Sequence, residues 1–150
     1  ASLLFIAGGI SIGLMGAHYS MPLEASSSSS GSSEGIAWQV YSPEKLAEAR
    51  NSGTPVFVDF TAAWCLSCQV NEKIAFSNSE VTGLFGALQI VPLKADWTSR
   101  DPMITQALAR FGRNSVPLYV LYDGKGGEPV VLPEILTPGI VLDALKSLKN

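Results

Sequence analysis

The chain has 150 residues, 47% of them hydrophobic, with two cysteines and a formal net charge of −3. This length and composition suit one globular domain with additional segments, because a domain of this size buries a core without disulfide cross-links. No Lys or Arg precedes Lys45, so the basic footprint of a nucleic-acid-binding protein is missing and that class is excluded.

Residues 1–18 are predicted to be the end of a transmembrane helix. The uncharged stretch 1–17 would span roughly 25 Å as a helix, slightly less than a ~30 Å hydrocarbon core. A signal-peptide core and a buried globular helix are the alternatives, but no basic leader precedes the stretch and its glycines are commoner in membrane helices. The Ser/Gly-rich residues 19–35 are predicted to form a flexible linker, either a membrane tether or a plain spacer.

Strand and helix patterns alternate from residue 36 onward. In chain order we predict a strand (36–42), a helix (42–53), a strand (55–62), a helix (about 65–76), a short helix (80–87), a strand (88–96), a helix (101–112), two strands within 116–132 and a helix (137–150). The helix caps are Ser42, Asp101 and Thr137, and Gly53 and Gly112 end their helices. This order predicts an α/β domain over residues 36–150, with a central mixed β-sheet flanked by helices.

The only two cysteines, Cys65 and Cys68, lie where a helix is predicted to follow a buried strand. The unpaired N–H groups and the dipole at a helix N-terminus stabilise a thiolate, which lowers the pKa of the thiol and speeds its reaction. Cys68 lies one turn further in, within bridging range and less exposed. We therefore predict that Cys65 attacks a partner disulfide and that Cys68 resolves the mixed disulfide.

Two other roles for the cysteine pair fit the sequence less well. A structural zinc site needs four ligands, usually Cys and His, and the chain adds only His18, which adjoins the apolar segment. A purely structural bridge within one helix closes too short a loop to constrain the unfolded chain much. No metal and no other cofactor is therefore predicted beyond a redox-active Cys65–Cys68 disulfide.

The segment "VDFTAAWC", followed by "LSC" and then by "SVPLYVLYDGKG" at 115–126, resembles the thioredoxin superfamily. Within it, "WCLSCQVNEK" after an apolar segment and a linker is most similar to the C-terminal periplasmic domain of DsbD-like transmembrane thiol:disulfide interchange proteins. The resemblance implies a thioredoxin-like fold and a protein-disulfide reductase. Electrons would pass from the membrane domain of the same protein to periplasmic thiol/disulfide proteins. It also implies a bacterial inner-membrane location, with this domain in the periplasm.

The resemblance assigns roles to two acidic residues. Asp59 matches a buried acid of the family, which would relay a proton to or from the resolving thiol. Its apolar neighbours favour burial, although a solvent-facing Asp is the alternative. Glu72, four residues after Cys68, matches a second acid on the cysteine face of the helix, with a solvated Glu as the alternative. Ionised, both would raise the pKa of the Cys65 thiol. A pairing of Lys94 with Asp59 is a minor possibility.

Three further residues are predicted to form a partner-docking surface. In the superfamily the proline that matches Pro117 is cis and faces the cysteines, which presents the backbone of Val116 for strand-like pairing with a substrate chain. A trans proline is the alternative, because only about 5–6% of X–Pro bonds are cis. Trp64 is predicted to pack beside the cysteines and shape this surface, with a plain core position as its alternative.

The residues between the cysteines separate this chain from thioredoxin itself. Leu66 and Ser67 replace the Gly-Pro of thioredoxin, and no His precedes Cys68 as in strong oxidases. This difference favours the reductase direction, although the reduction potential depends on the whole site. A reductase for cytochrome c biogenesis and one for copper stress fit equally well. The alternative function is a membrane-tethered module that uses the same fold for binding or assembly without turnover.

Overall fold

A five-stranded mixed β-sheet lies at the centre of residues 35–150, the part of the chain that the computed structural model describes. Its strands are β1 (Gln39–Val40), β2 (Val56–Thr61), β3 (Val91–Asp96), β4 (Leu118–Tyr122) and β5 (Val130–Leu132). The strand order is β1-β3-β2-β4-β5. β1 and β2 run parallel to β3, whereas β4 runs antiparallel to β2 and β5. The predicted mixed sheet is therefore confirmed.

Helices cover both faces of the sheet. Within residues 35–150 the α-helices are α1 (Pro43–Asn51), α2 (Leu66–Asn71), α3 (Ser79–Ala87), α4 (Pro102–Ala109) and α5 (Pro138–Lys146). A π-helical segment, Glu72–Phe76, continues α2, and a 3₁₀ turn, Ser147–Lys149, continues α5. Buried side chains of α1 and α4 pack in one apolar cluster, and those of α3, α5 and the π-helical segment pack in another.

The helix ends follow the capping chemistry of the sequence. The side chains of Ser42, Asp101 and Thr137 accept hydrogen bonds from the first-turn N–H groups of α1, α4 and α5, as predicted. Gly53 and Gly112 follow α1 and α4 with φ angles of +74° and +67°. These left-handed conformations suit glycine and end the two helices where predicted.

The predicted strand over 36–42 is wrong in its length. Only Gln39 and Val40 join the sheet, because β1 is an edge strand that pairs with β3 at just these positions. Ile36 and Trp38 pack instead against the apolar cluster on one face of the sheet. Burial of those side chains therefore decides the path of the chain before β1, and backbone pairing begins only after them.

The predicted helix over 65–76 is wrong in its second half, where the chain is π-helical rather than α-helical. The wider turn buries two consecutive residues, Ala75 and Phe76, at 0% and 4% exposure. Their burial against the sheet overrides the regular α-helical turn that the local sequence favours. Single π-helical turns are rare and often lie next to functional sites.

Phe57, on β2, is the centre of an aromatic cluster on one face of the sheet. Its ring centroid lies 5.4 Å from that of Phe85 and 5.6 Å from that of Phe76. The Trp38 and Tyr119 rings lie 6.2 and 6.4 Å away. Such tilted and edge-on contacts add to the stability from burial alone. The cluster holds the π-helical segment and α3 against the central strand.

No helix within residues 35–150 is long and apolar enough to cross a membrane. The predicted membrane segment, 1–18, lies outside the described residues, as does nearly all of the predicted linker, 19–35. Both therefore stay predictions.

We expect Phe57→Ala to lower the free energy of unfolding by about 3–5 kcal/mol, because it leaves a cavity in a core with little room to collapse. Urea denaturation of the oxidised chain, followed by circular dichroism, measures this change. Val40→Ala is the control: Val40 is 77% exposed, so its loss should change the stability by at most about 0.5 kcal/mol. Equal effects of the two substitutions would contradict the central role of the aromatic cluster.

Candidate active site

Cys65 is the N-cap residue of α2, and its sulfur is bonded to that of Cys68. The Cα atoms of the pair lie 5.3 Å apart. The backbone N–H of Cys68 also donates a hydrogen bond to Cys65 Sγ, at 3.2 Å. A donor that the helix start leaves unpaired is thus directed at the first sulfur, where it would stabilise a thiolate. The predicted position of Cys65 at the helix N-terminus is confirmed.

Cys68 is the less exposed of the two cysteines, as predicted, but only by a small margin. Cys65 is 6% exposed and Cys68 is 4% exposed, so both are buried in the disulfide form. Ala62 and Val116 pack against the cross-linked pair and cover both sulfurs. The two cysteines therefore differ in their place on the helix and in their hydrogen bonding, and hardly at all in exposure.

Asp59 lies on β2 and is buried, as predicted, with 4% exposure. Among residues 35–150 its Oδ1 atom has no hydrogen-bond partner. Burial is the main cause that raises the pKa of Asp59 from 3.8 to about 7. Of the two nearby charges, that of Lys94 lowers this pKa and that of Glu72 raises it. A carboxyl group with this pKa exchanges a proton readily near neutral pH. Its proposed role in proton transfer stays a prediction.

Lys94 forms its ion pair with Glu72 and not with Asp59. Its Nζ atom lies 2.8 Å from Glu72 Oε1, although Asp59 is its partner in the β2–β3 register. The side chains of Lys94 and Glu72 are 27% and 54% exposed, so the pair itself adds little stability. It lines a cleft of about 190 Å³ that also reaches Thr61. Glu72 thus acts on the site as one half of an ion pair beside the buried acid.

The peptide bond between Val116 and Pro117 is cis, as the resemblance implies. Pro117 is buried directly before β4, and Val116 is partly buried against the cysteine pair. The two residues and the disulfide therefore share one surface. Pairing of the Val116 backbone with a substrate chain stays a prediction.

Trp64 lies on the surface rather than in the core, with 51% of the residue exposed. Its Nε1 atom donates a hydrogen bond to the Thr98 carbonyl oxygen, at 3.2 Å. The neighbouring Ala63 N–H donates to Thr98 Oγ1 at 2.8 Å, and Gln69 Nε2 donates to the Ala63 oxygen at 2.7 Å. The loop after β3 and the helix α2 thus hold the residues that lead into Cys65, while about half of Trp64 stays exposed.

Asn71 is a site residue that the sequence analysis missed. It is 1% exposed, and its Nδ2 atom donates to the Tyr119 hydroxyl at 2.8 Å and to the Glu134 carbonyl oxygen at 2.7 Å. Its Oδ1 atom accepts from the Leu136 N–H at 3.0 Å. These bonds join α2 to β4 and to the loop before α5. An uncharged amide three residues after Cys68, on the buried face of the predicted helix, was the available signal.

Among residues 35–150, no three His, Cys, Asp or Glu side chains are grouped so that they would hold a metal ion. A structural zinc site would require four ligands. The expectation that the cysteine pair works without metal or another cofactor stays a prediction.

Comparisons with known sequences link the chain to disulfide-exchange proteins. A sequence model described as thioredoxin-like matches residues 37–124. The chain is 31% identical over 88 residues to the thiol:disulfide interchange protein DsbD of Ralstonia nicotianae, and 32% identical over 85 residues to that of Escherichia coli K12. The alignments cover 59% and 57% of this chain but only 14% of each relative. The matched segment thus corresponds to a small part of those proteins.

Comparisons with solved structures support the fold. The reduced C-terminal domain of Neisseria meningitidis DsbD superposes with a TM-score of 0.59 at 18% identity, covering 73% of this chain and 98% of that one. A thioredoxin from Thermus thermophilus superposes with a TM-score of 0.63 at 24% identity, covering 77% and 88% of the two chains. At these identities the likeness establishes a thioredoxin-like fold.

The raised pKa of Asp59 predicts a specific dependence of stability on pH. From about pH 4 to about pH 7 the carboxyl is ionised in the unfolded chain but protonated in the folded one, so rising pH favours unfolding. Asp59→Asn removes this loss. The free energy of unfolding of the variant, minus that of the unsubstituted chain, should therefore grow across this range by up to about 4 kcal/mol. Urea denaturation at a series of pH values measures it.

The matched control for this experiment is Asp143→Asn, which replaces an exposed carboxylate on α5. Its stability difference from the unsubstituted chain should stay nearly constant across the same pH range. A constant difference for Asp59→Asn as well would contradict the protonated, buried state of Asp59.

Proposed function

Because the chain belongs to the thioredoxin-like family, we propose that Cys65 and Cys68 form a dithiol that reduces disulfides in other proteins. The observation that carries the proposal is the hydrogen bond from the Cys68 N–H to Cys65 Sγ at the start of α2. A thiolate at this place is stabilised by the helix N-terminus and attacks a disulfide readily. The second cysteine lies within bonding distance, as exchange requires.

The proposed reaction proceeds through one mixed disulfide. The Cys65 thiolate attacks one sulfur of the partner's disulfide, and the other sulfur leaves as a thiolate that takes up a proton. The Cys68 thiolate then attacks Cys65 Sγ and breaks the mixed disulfide, which releases the partner's second thiolate. That second thiolate also takes up a proton. Two electrons thus pass from this domain to the partner, the two protons that Cys65 and Cys68 lose are balanced by the two that the partner's sulfurs gain, and the Cys65–Cys68 disulfide forms.

Asp59 is proposed to accept the proton of Cys68 before the second step. Its burial and its pKa of about 7 support this role, because a group with that pKa both takes and returns a proton near neutral pH. The adjoining Lys94–Glu72 pair sets the local charge around this acid. When Asp59 and Glu72 are ionised, we expect them to disfavour the Cys65 thiolate. Idle reaction of the reduced form would then be slow until a partner docks.

The wider setting is proposed from the relatives that carry the name thiol:disulfide interchange protein. In this setting, a dithiol in the membrane domain of the same protein reduces the Cys65–Cys68 disulfide after each cycle. This domain then passes the electrons on to periplasmic thiol/disulfide proteins, including those of cytochrome c biogenesis. The partner's chain would pair with the Val116 backbone and contact Trp64. Residues 1–18 would anchor the domain to the bacterial inner membrane.

Removal of the resolving cysteine should trap partners. The reduced Cys68→Ala chain should hold partners covalently through Cys65, because nothing then breaks the mixed disulfide. The Cys65→Ala chain should hold few, although Cys68 is intact. Incubation with an oxidised periplasmic extract, a non-reducing gel and mass spectrometry measure the difference. The double variant, Cys65→Ala with Cys68→Ala, is the background control.

Equal trapping by the two single variants would show that the attacking and resolving roles are assigned wrongly. If neither variant trapped any protein, the module that binds without turnover would replace the proposed function.

A redox titration against glutathione tests the direction of transfer. We expect the Cys65–Cys68 potential to lie nearer to that of thioredoxin, about −270 mV, than to that of strong oxidants, about −120 mV. In strong oxidases a His beside the second cysteine stabilises the thiolate, which favours the reduced form and raises the potential. This chain has no His beside Cys68, so we expect a lower potential. Mass spectrometry after alkylation counts the free thiols at each glutathione ratio. A potential near the oxidant value would refute the reductase direction while leaving disulfide exchange intact.

A further inference from the structure

Arg100 lies over two tryptophan rings, one of which belongs to the residue directly before Cys65. Its Cζ atom is 4.9 Å from the ring centroid of Trp97 and 5.4 Å from that of Trp64. Trp64 directly precedes Cys65 and is 51% exposed. The guanidinium group therefore lies beside an exposed aromatic side chain that belongs to the neighbour of Cys65 in the chain.

The backbone holds Arg100 in this place. Its N–H donates a hydrogen bond to the Trp97 carbonyl oxygen at 2.9 Å, which closes a turn after β3. Its φ angle is +55°, a left-handed conformation that costs a non-glycine residue about 1–2 kcal/mol. The same turn is joined to Trp64 by the hydrogen bond to Thr98. Backbone strain of this kind at a non-glycine residue is found most often at functional sites.

Arg100 differs from Lys94 and Arg113 in its charge partners. Among residues 35–150 the ion pairs are Lys94 with Glu72 and Arg113 with Glu134. In both pairs a glutamate of the same chain neutralises the cation. Arg100 takes part in neither, so within the described part of the chain its charge is not paired with a carboxylate.

The two acids nearest to Arg100 in sequence already serve other donors. Asp96 Oδ1 accepts from the Thr98 N–H at 2.9 Å and also from the Thr98 hydroxyl. Asp101 Oδ1 caps α4 by accepting from two backbone N–H groups of its first turn. Their negative charges weaken the field around Arg100. Recognition of an anion by Arg100 must therefore come from direct hydrogen bonding and cannot come from a broad positive surface.

We propose that Arg100 selects the partners of this site by binding a carboxylate that lies next to the partner's disulfide. This inference rests on the proposed function. The planar guanidinium offers N–H donors in a fork that matches a carboxylate, and it can do so while its face stacks on an aromatic ring. The contacts with the two indoles favour one placement of this exposed side chain, which lowers the loss of conformational freedom when the carboxylate binds. The preferred partner segment therefore carries Asp or Glu beside a reducible cysteine.

The test uses the reduced 150-residue chain and three synthetic peptides that share one internal disulfide. The peptides carry Glu, Gln or Lys beside the first cysteine, and every rate constant is divided by the rate with the Gln peptide. We expect the unsubstituted chain to reduce the Glu peptide about two- to fivefold faster than the Lys peptide, as one exposed charge pair allows. Arg100→Gln should bring this ratio close to one, and Arg100→Glu should invert it.

Arg50→Gln is the matched control. Arg50 also lies over an aromatic ring, with its Cζ atom 4.8 Å from the Tyr122 centroid, at the end of β4 away from Pro117. The substitution removes the same kind of contact far from the cysteines, so it should leave the Glu/Lys ratio unchanged. At about 1 M salt the ratio of the unsubstituted chain should fall only in part, because charges are then screened beyond about 3 Å whereas a directly hydrogen-bonded pair stays in contact.

Two failures are distinguishable. The role of Arg100 would be overturned by a Glu/Lys rate ratio of one in the unsubstituted chain. It would also be overturned if Arg100→Gln kept the ratio of the unsubstituted chain. In either case, reduction of all three peptides would still support the proposed function. A loss of the ratio in Arg50→Gln would also count against it. No reduction of any peptide by the unsubstituted chain would overturn the proposed function and this inference together.

Discussion

Asn71, the last residue of α2, anchors that helix to the rest of the domain, and the geometry of the cysteine pair at its start depends on that anchor. Its side chain hydrogen-bonds to the Tyr119 hydroxyl on β4 and to backbone groups of the loop before α5. Because the amide is buried, any of these bonds left unmade would cost about 1–3 kcal/mol. The helix therefore has one favourable position against the sheet. In that position Cys65 caps the helix, and the Cys68 N–H reaches its sulfur.

Two groups of side chains near the cysteine motif differ in chemical character. One consists of Asp59, buried on β2, and the Lys94–Glu72 ion pair, whose charges act on the pKa of Asp59. This group suits the transfer of a proton between a thiol and a carboxyl group. The other consists of the exposed Trp64 and Arg100, whose Cζ atom lies 5.4 Å from the Trp64 ring centroid, and it suits contact with a second protein.

A thioredoxin-like fold by itself does not decide which reaction its cysteines perform. The fold supplies the strand β2, which ends shortly before the cysteine motif, and the helix α2, which begins within the motif. It also supplies the cis peptide bond before Pro117. The direction of electron flow depends on how well the surroundings stabilise the two sulfurs in each redox state. In this chain those surroundings are an uncharged Leu-Ser pair between the cysteines, a buried acid and an ion pair. Of these, the Leu-Ser pair differs from the Gly-Pro that thioredoxin has between its cysteines.

Local patterns in the sequence determined the fold class, the helix caps and the place of the cysteine pair. Each of these depends on residues a few positions apart, such as Ser42 with the first turn of α1 or Cys65 with Cys68. The burial of Asp59 also followed from its apolar neighbours on the strand. The cis bond before Pro117 came from the family resemblance, because local physics favours trans.

Only the tertiary structure decided which distant side chains meet. Lys94 lies opposite Asp59 in the sheet but is long enough to reach Glu72 on the neighbouring helical segment. Asn71 finds its partners more than forty positions away, as separations of 48, 63 and 65 residues show. The π-helical segment, the burial of both cysteines and the contact of Arg100 with Trp64 likewise arise from the packing of segments that are distant in sequence. Sequence patterns carry the periodicity of single elements, whereas these contacts depend on how the elements pack together.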